Sequence, residues 1–373
     1  MTPGAYVHIP FCAHRCAYCS FVALEGRSEE REFFEGVERE IRSRAGEAED
    51  KPFDSVYFGG GTPSYVEPEG LGGVLGTLEE IFGISSDAEI TAEANPDDLD
   101  GDKLRALRDI GINRLSIGVQ ALVDSELVPL ERRHDAAGAV AALGAAVPLF
   151  RSVSADLMIG IPGQTRESLK KSVDGLFSAG LRHLSVYLLE VEKAPRLVRL
   201  KASSPDLFAD DDEMAARWEM VDDLCTAAGF ARYEISNWAR PGFESRHNLK
   251  YWTLQPTLGF GVAAHSFDGR RRTVNTGSMA EYIRLTREGR SPRVTSEELE
   301  DSPGKKERLM LGLRLAKGVP SSSFEGIRRS LPAASASRIE DAFLAGLLVR
   351  ENGRVALTRR GVLLSNEVFA LLV

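Results

Sequence analysis

Cysteine is scarce, with four in 373 residues, too few to staple a fold of this size with disulfides. No apolar run approaches the roughly 18 residues that a membrane-spanning helix needs. Surplus positive charge is also missing. Lys and Arg number 46 against 55 Asp and Glu, a net charge of −9, which excludes a chain that wraps nucleic acid over its whole surface. There is no internal repeat at solenoid periods and no low-complexity tract. The opening Met1-Thr2-Pro3-Gly4-Ala5-Tyr6 lacks the basic start and long apolar stretch of a secretion signal, so a cytoplasmic location is expected. What remains is an ordinary balance, 43% hydrophobic and 27% charged, which suits a globular fold with a sizeable core.

Short apolar runs rich in β-branched residues alternate with stretches of helical period, the pattern of a parallel sheet covered by helices. Strands are expected at 6–9, 55–58, 89–93, 114–119, 154–159, 185–189 and 233–235. Six or seven such units predict an α/β fold, a partial or complete (β/α) barrel filling residues 1–290, with function at the C-terminal strand ends. Residues 192–212, with their Lys, Pro, Ser and three consecutive Asp, read as a long solvated excursion able to cover a site. Residues 291–373 read as helix, helix, hairpin and helix, the hairpin marked by Asn352-Gly353 between two apolar runs. That order predicts a small winged-helix-like α+β module. From Asp301 on it carries twelve basic and seven acidic residues, an ordinary solvated surface, and nucleic acid is not an expected partner.

Three of the four cysteines fall within eight positions, Cys12, Cys16 and Cys19, spaced Cys-x3-Cys-x2-Cys just after the first strand. Structural zinc takes four closed ligands, normally as two separated pairs, and no second pair exists. Three thiolates suit a 4Fe-4S cube with one iron left open for substrate. Zinc completed by His8 or His14, and an inert buried trio, are the other readings of these residues. Gly59-Gly60-Gly61-Thr62-Pro63 follows the second strand, where missing Cβ atoms let the backbone approach a ligand closely. Glu93 and Gln120 close the third and fourth strands. Asp156 is a lone charge in an apolar strand, and a buried carboxylate needs a partner or a ligand.

The cysteine spacing at the end of a first barrel strand resembles the radical S-adenosylmethionine superfamily. The resemblance implies a 4Fe-4S cluster on Cys12, Cys16 and Cys19, with S-adenosylmethionine chelated to its free iron. Reductive cleavage of the sulfonium then yields a 5′-deoxyadenosyl radical. The segments Tyr6-Val7-His8-Ile9-Pro10-Phe11-Cys12, Gly59 to Pro63, Asn113 to Gln120 and Asp156 to Gln164 are similar to the coproporphyrinogen III oxidase-like branch. By motif they imply S-adenosylmethionine contacts at Tyr6, Gly60, Gly61, Thr62, Glu93, Gln120, Arg132 and Asp156. Tyr18 would pack against the cube or the adenine.

The oxidase of that branch usually continues Cys-x-Cys after the third cysteine, whereas this chain has Cys19-Ser20-Phe21, which argues against coproporphyrinogen decarboxylation. His247-Asn248-Leu249-Lys250-Tyr251-Trp252 offers an imidazole, a haem-iron ligand, beside flat aromatic faces. Taken alone, such a His is more often a hydrogen-bonded packing residue. The stretch resembles the haem-binding signature of HemW-type haem chaperones. This implies haem at His247, Tyr251 and Trp252, haem-accepting respiratory proteins as partners, peripheral membrane contact through those partners, and a monomer or homodimer. A HemN-like methyltransferase or cyclopropane-forming enzyme is the alternative, and an oxygen-independent coproporphyrinogen III oxidase a third. Two residues depart from the family pattern: Ser20 stands where Asp is usual, and Glu131 where Gly is common, which bears on the local backbone.

Overall fold

The computed structural model describes residues 2–47, 52–299 and 301–372. Its centre is a run of parallel strands, β1 (Gly4–Ile9), β2 (Phe53–Gly60), β3 (Ile84–Ala94), β4 (Arg114–Gln120), β5 (Ser152–Ile159) and β6 (His183–Leu188). The helices between them are α1 (Glu30–Ser43), α2 (Pro68–Phe82), α3 (Gly101–Asp109), α4 (Ala136–Ala146) and α5 (Arg166–Ser178). One face of each strand is apolar and sealed by these helices. Val7, Val56, Phe58, Ala92, Leu115, Ile117, Ala155 and Leu157 are fully buried there, opposite Phe33, Val37, Leu71 and Leu78 of the helices.

The inner face is different. Because successive side chains alternate across a strand, it carries Tyr6 and His8, then Tyr57, Thr91 and Glu93, Arg114 and Ser116, Ser152, Ser154 and Asp156. A closed barrel is normally packed inside with branched aliphatic layers, whereas this lumen is polar throughout, the composition of a binding chamber.

Of the seven expected strands, six lie parallel as β1–β6. The seventh lies elsewhere: β7 (Ala231–Glu234) and β8 (Asn237–Ala239) form a hairpin that adds antiparallel to β6. On the other side β9 (Thr257–Phe260) lies parallel to β1. It is followed antiparallel by β10 (His265–Phe267), β11 (Arg271–Asn275) and β12 (Arg293–Glu298). The twelve-stranded sheet therefore ends in β12 and β7 without closing. The expected division after residue 290 assigns Arg293–Glu298 to the C-terminal module, while in the structure this strand pairs with β11 of the main sheet.

The excursion at 192–212 is not a solvated loop. It contains α6 (Pro195–Ser203), begun by a proline at its first position, and buries Ala194 and Leu197 against Leu130, Met158 and Leu189. After it come α7 (Asp211–Ala227) and α8 (Arg246–Trp252), the latter closing the floor of the lumen. The C-terminal module has α9 (Asp301–Leu313), α10 (Ser321–Arg328), α11 (Ala333–Leu344) and a three-stranded sheet. Its hairpin, Leu348–Glu351 with Arg354–Leu357, turns on Asn352 and Gly353, both at positive φ as the sequence signal requires. No described helix is long and apolar enough to cross a membrane.

Candidate functional site

At the C-terminal edge of the parallel strands lies a cavity of about 320 Å³. Cys12, Cys16 and Cys19 line it together with Tyr18, Gly60, Gly61, Thr62, Glu93, Gln120, Arg132 and Asp156. Residues expected from six separate segments thus converge on one wall. Tyr6 is the exception among the expected S-adenosylmethionine contacts. It sits lower in the lumen, with its hydroxyl 3.2 Å from His8 Nδ1 and its ring on Tyr57.

Arg132 joins the parts. Its Nη1 donates to Cys16 Sγ at 3.3 Å and to the Tyr18 hydroxyl at 3.5 Å, and its Nη2 donates to Asn95 Oδ1 and to the Gly118 carbonyl, both at 2.6 Å. Asn95 Nδ2 in turn donates to Thr62 Oγ1 at 3.2 Å, and that hydroxyl lies 3.3 Å from Cys12 Sγ. The cysteine loop is therefore tied to the ends of β2, β3 and β4 through a single network. Asn95 was legible as the residue just past the third strand but carried no motif of its own. Tyr57 and Ser116, which hold the two carboxylates, likewise lacked any local signal.

The glycine run serves this packing. A Cβ on Gly60, whose φ is 109°, would lie 2.4 Å from the His8 ring, and one on Gly61 would lie 2.7 Å from the Phe11 carbonyl and 2.8 Å from that of Ile9. The backbone of β2 thus presses directly on the start of the cysteine loop. Gly61→Ala forces backbone against backbone and is expected to destabilise the protein by about 2–3 kcal/mol. Urea unfolding would show this, and an unchanged midpoint would contradict the close approach.

Glu93 accepts from the Tyr57 hydroxyl at 2.8 Å and from the Gly60 N–H at 3.0 Å. Burial raises its pKa to about 7, and the neighbouring charge of Asp156 adds to the rise. Asp156, which accepts from Ser116 Oγ at 3.2 Å, is raised by burial too. Since the folded-state value of Glu93 lies above the ordinary one, the group favours the fold while protonated, and that contribution is lost as pH rises through about 7. Relative to wild type, Glu93→Gln is expected to gain roughly 2–3 kcal/mol of stability between pH 5 and pH 8 in the ligand-free protein. Parallel pH profiles of the two proteins would refute this.

The donor set fits the expected cofactors. Cys12 is buried, with its thiol pushed up to about 11, so it holds its proton until a metal displaces it. Gln120 Oε1 and Arg132 Nε are buried at the wall with no partner among the described residues, which suits a polar ligand. The zinc alternative fares worse. His8 is spoken for by Tyr6 and by the Val22 carbonyl at 2.8 Å from Nε2. His14 lies 3.3 Å from Glu25 and 3.5 Å from Glu131 on the rim. Among the described residues no three His, Cys, Asp or Glu converge on a single-ion site; a cube, by contrast, takes each thiolate on a different iron.

Glu131, in the position where glycine is common, has a φ of 55°, in the left-handed region that glycine adopts freely. Its carboxylate pairs with Arg196 of α6 as well as with His14. Thus α6 is fastened to the cavity rim.

The residues expected to hold haem lie at the opposite, lower end of the lumen. Glu89 of β3 accepts from the N–H groups of Arg246 and His247, each at 3.1 Å, which fixes the start of α8. His247 is fully buried, stacked on Tyr57 at 5.1 Å between ring centroids. Its Nδ1 is 3.0 Å from Ser55 Oγ and its Nε2 is 3.0 Å from the Tyr251 hydroxyl. Burial, with Lys250 and Arg114 adding to it, lowers its pKa to about 3. The Trp252 ring faces away and is covered by the Arg314 guanidinium at 4.4 Å. In this conformation neither nitrogen of His247 is open to an iron.

Comparison with known proteins places these features in context. The Radical SAM superfamily profile matches residues 6–176 and that of the HemN C-terminal domain matches residues 306–364. The heme chaperone HemW of Bacillus subtilis is 36% identical over 98% of this chain and 98% of its own length. The heme chaperone HemW of Mycobacterium tuberculosis is 35% identical over 99% of this chain and 94% of its own. Among solved structures, the coproporphyrinogen III oxidase HemN of Escherichia coli superposes with a TM-score of 0.85 at 22% identity, covering 100% of this chain and 90% of that one. That last likeness is one of fold.

Proposed function

This chain belongs to the HemW family within the radical S-adenosylmethionine superfamily, and from that premise we propose that it is a haem chaperone that binds haem and passes it to an acceptor protein. The observation that carries the reading is the extent of the likeness: it runs from the cysteine loop through α8 to the C-terminal module, against relatives named for that role. Haem-accepting respiratory proteins are the proposed partners, met by a monomer or homodimer.

Cys12, Cys16 and Cys19 are the proposed cluster ligands. The cluster with S-adenosylmethionine, when bound, supplies one-electron chemistry at the sulfonium. Around it the chain's own residues bind and orient. Glu93, ionised above about pH 7, offers a carboxylate to an ammonium. Gln120 offers an unengaged carbonyl oxygen. Arg132 donates to Cys16 Sγ and so orients the cysteine loop.

The segment His247, Tyr251 and Trp252 is the proposed haem seat. An iron reaches His247 Nε2 only once the Tyr251 hydroxyl gives way, so Tyr251 acts as a latch on the imidazole. Titration with haem, followed in the Soret region, is expected to show uptake by the wild type and loss or displacement of the band in His247→Ala. Tyr251→Phe, which frees Nε2, is expected to bind about fivefold more tightly. Absence of uptake by the wild type would overturn the function, and identical spectra in all three proteins would move the seat away from His247.

A further inference from the structure

Beneath the S-adenosylmethionine cavity the lumen holds a second cluster of polar groups that the cofactor contacts do not use. In the register of the sheet, Tyr6, Tyr57, Thr91, Arg114 and Ser152 are successive partners from β1 to β5, so their side chains form one transverse row on the inner face. Three neighbours in that row are unsatisfied. Thr91 Oγ1, Arg114 Nε and Nη1, and Ser152 Oγ are buried with no hydrogen-bond partner among the described residues.

Arg114 is only 2% exposed. A guanidinium cannot shed its charge, and a buried charge without a counter-ion is strongly destabilising. The lumen's carboxylates Glu93 and Asp156 feel its charge, but among the described residues none bonds to it. Glu93 is held by Tyr57 and Gly60, Asp156 by Ser116, and Glu89 by the backbone of α8. Buried Arg44, by contrast, has Glu40 at 3.1 Å and Glu47 at 2.9 Å. Arg114 therefore keeps guanidinium donors, at Nε and Nη1, that no described residue engages.

Access exists. Arg114 and Ser152 line a cavity of about 270 Å³ between the lumen floor and the approach to α8, whose wall also carries Arg151 and Arg246 and, of opposite sign, Glu89 and Glu244. A fork of guanidinium donors flanked by two hydroxyls matches a planar oxyanion. We propose that Arg114, Thr91 and Ser152 form a binding site for a carboxylate. The site adjoins the proposed haem seat, because His247 stacks on Tyr57 of the same row. Resting on the function proposed above, the carboxylate is a haem propionate; a small free acid would present the same group.

Two arms test this on the full-length, cluster-reconstituted protein. In the first, thermal unfolding of wild type, Arg114→Lys and Arg114→Met is followed with succinate against chloride at matched ionic strength. Succinate is expected to raise the Tm of wild type and of the lysine variant and to leave the methionine variant unmoved. Equal shifts in all three, or none in the wild type, would overturn the site. The methionine variant keeps the side-chain volume and removes an unpaired buried charge, so without ligand it is expected to melt no lower than wild type. A lower Tm would show that Arg114 already has its partner within the fold.

In the second arm, haem and haem dimethyl ester are compared by Soret titration. Wild type is expected to prefer the free acid about tenfold, and Arg114→Met to lose that preference. Equal affinity of wild type for both forms would refute the propionate assignment. If the wild type takes up neither, the chaperone function falls, while the succinate arm still decides the carboxylate site.

Discussion

Cys12→Ser, Cys16→Ser and Cys19→Ser are each expected to leave anaerobic reconstitution with almost no bound iron or sulfide, and without the broad visible absorption of a cluster. Each thiolate serves one corner of a cube, so loss of one leaves two anchors on a loop whose path is fixed elsewhere. Cys12 is the most telling position. Its thiol is buried, pushed up to about 11 and set 3.3 Å from Thr62, so metal binding there must expel a proton from an apolar setting. A serine hydroxyl gives up its proton far less readily. Cys225→Ala serves as the control, since that side chain lies on α7 fully buried in the core, and the variant is expected to keep its full iron content. A normal complement of iron in any of the three serine variants would refute the ligand assignment.

Arg132→Met is expected to lower stability by about 3–5 kcal/mol and to abolish measurable S-adenosylmethionine binding. The guanidinium satisfies Asn95 Oδ1 and the Gly118 carbonyl while standing beside Cys16 and Tyr18. A thioether can donate to none of them, and the acceptors are left without partners. Arg132→Lys restores the charge but reaches fewer acceptors, so about half the loss is expected to return. Urea unfolding together with equilibrium binding checks both parts. A methionine variant as stable as wild type would show that the network does not hold the loop.

Much of this was readable from the chain. Strands β1–β6, the cysteine spacing, the glycine run and the strand-end positions of Glu93, Gln120 and Asp156 came from local pattern, because apolar runs and short motifs are local, whereas Arg132 came only through the family resemblance. The polar lumen was not read, although its signal was present. Ser55-Val56-Tyr57-Phe58 alternates, as does Ser152-Val153-Ser154-Ala155-Asp156-Leu157. The outward residues are strongly apolar because helices cover them, so each strand reads as a buried run and its polar partners look incidental. Arg114 escaped notice for that reason. The place of Tyr233's strand was not local either, since a hairpin at Ser236 inserts β8 between it and β6. In 192–212 the charges outweighed a proline start followed by Leu197 and Leu200 at helical spacing. His247 was expected to present its imidazole, but Tyr251 one turn along α8 and Ser55, remote in sequence, enclose it.

Glu131 has a wider meaning for how the entrance behaves. Its left-handed backbone costs about 1–2 kcal/mol for a residue with a Cβ, and its contacts with Arg196 and His14 offset that strain. Those contacts are solvent-facing, and mobile ions weaken attractions of that sort. One acidic side chain therefore acts as a leash between an overhanging helix and the thiol-bearing turn. The doorway tightens in dilute solution and slackens in brine.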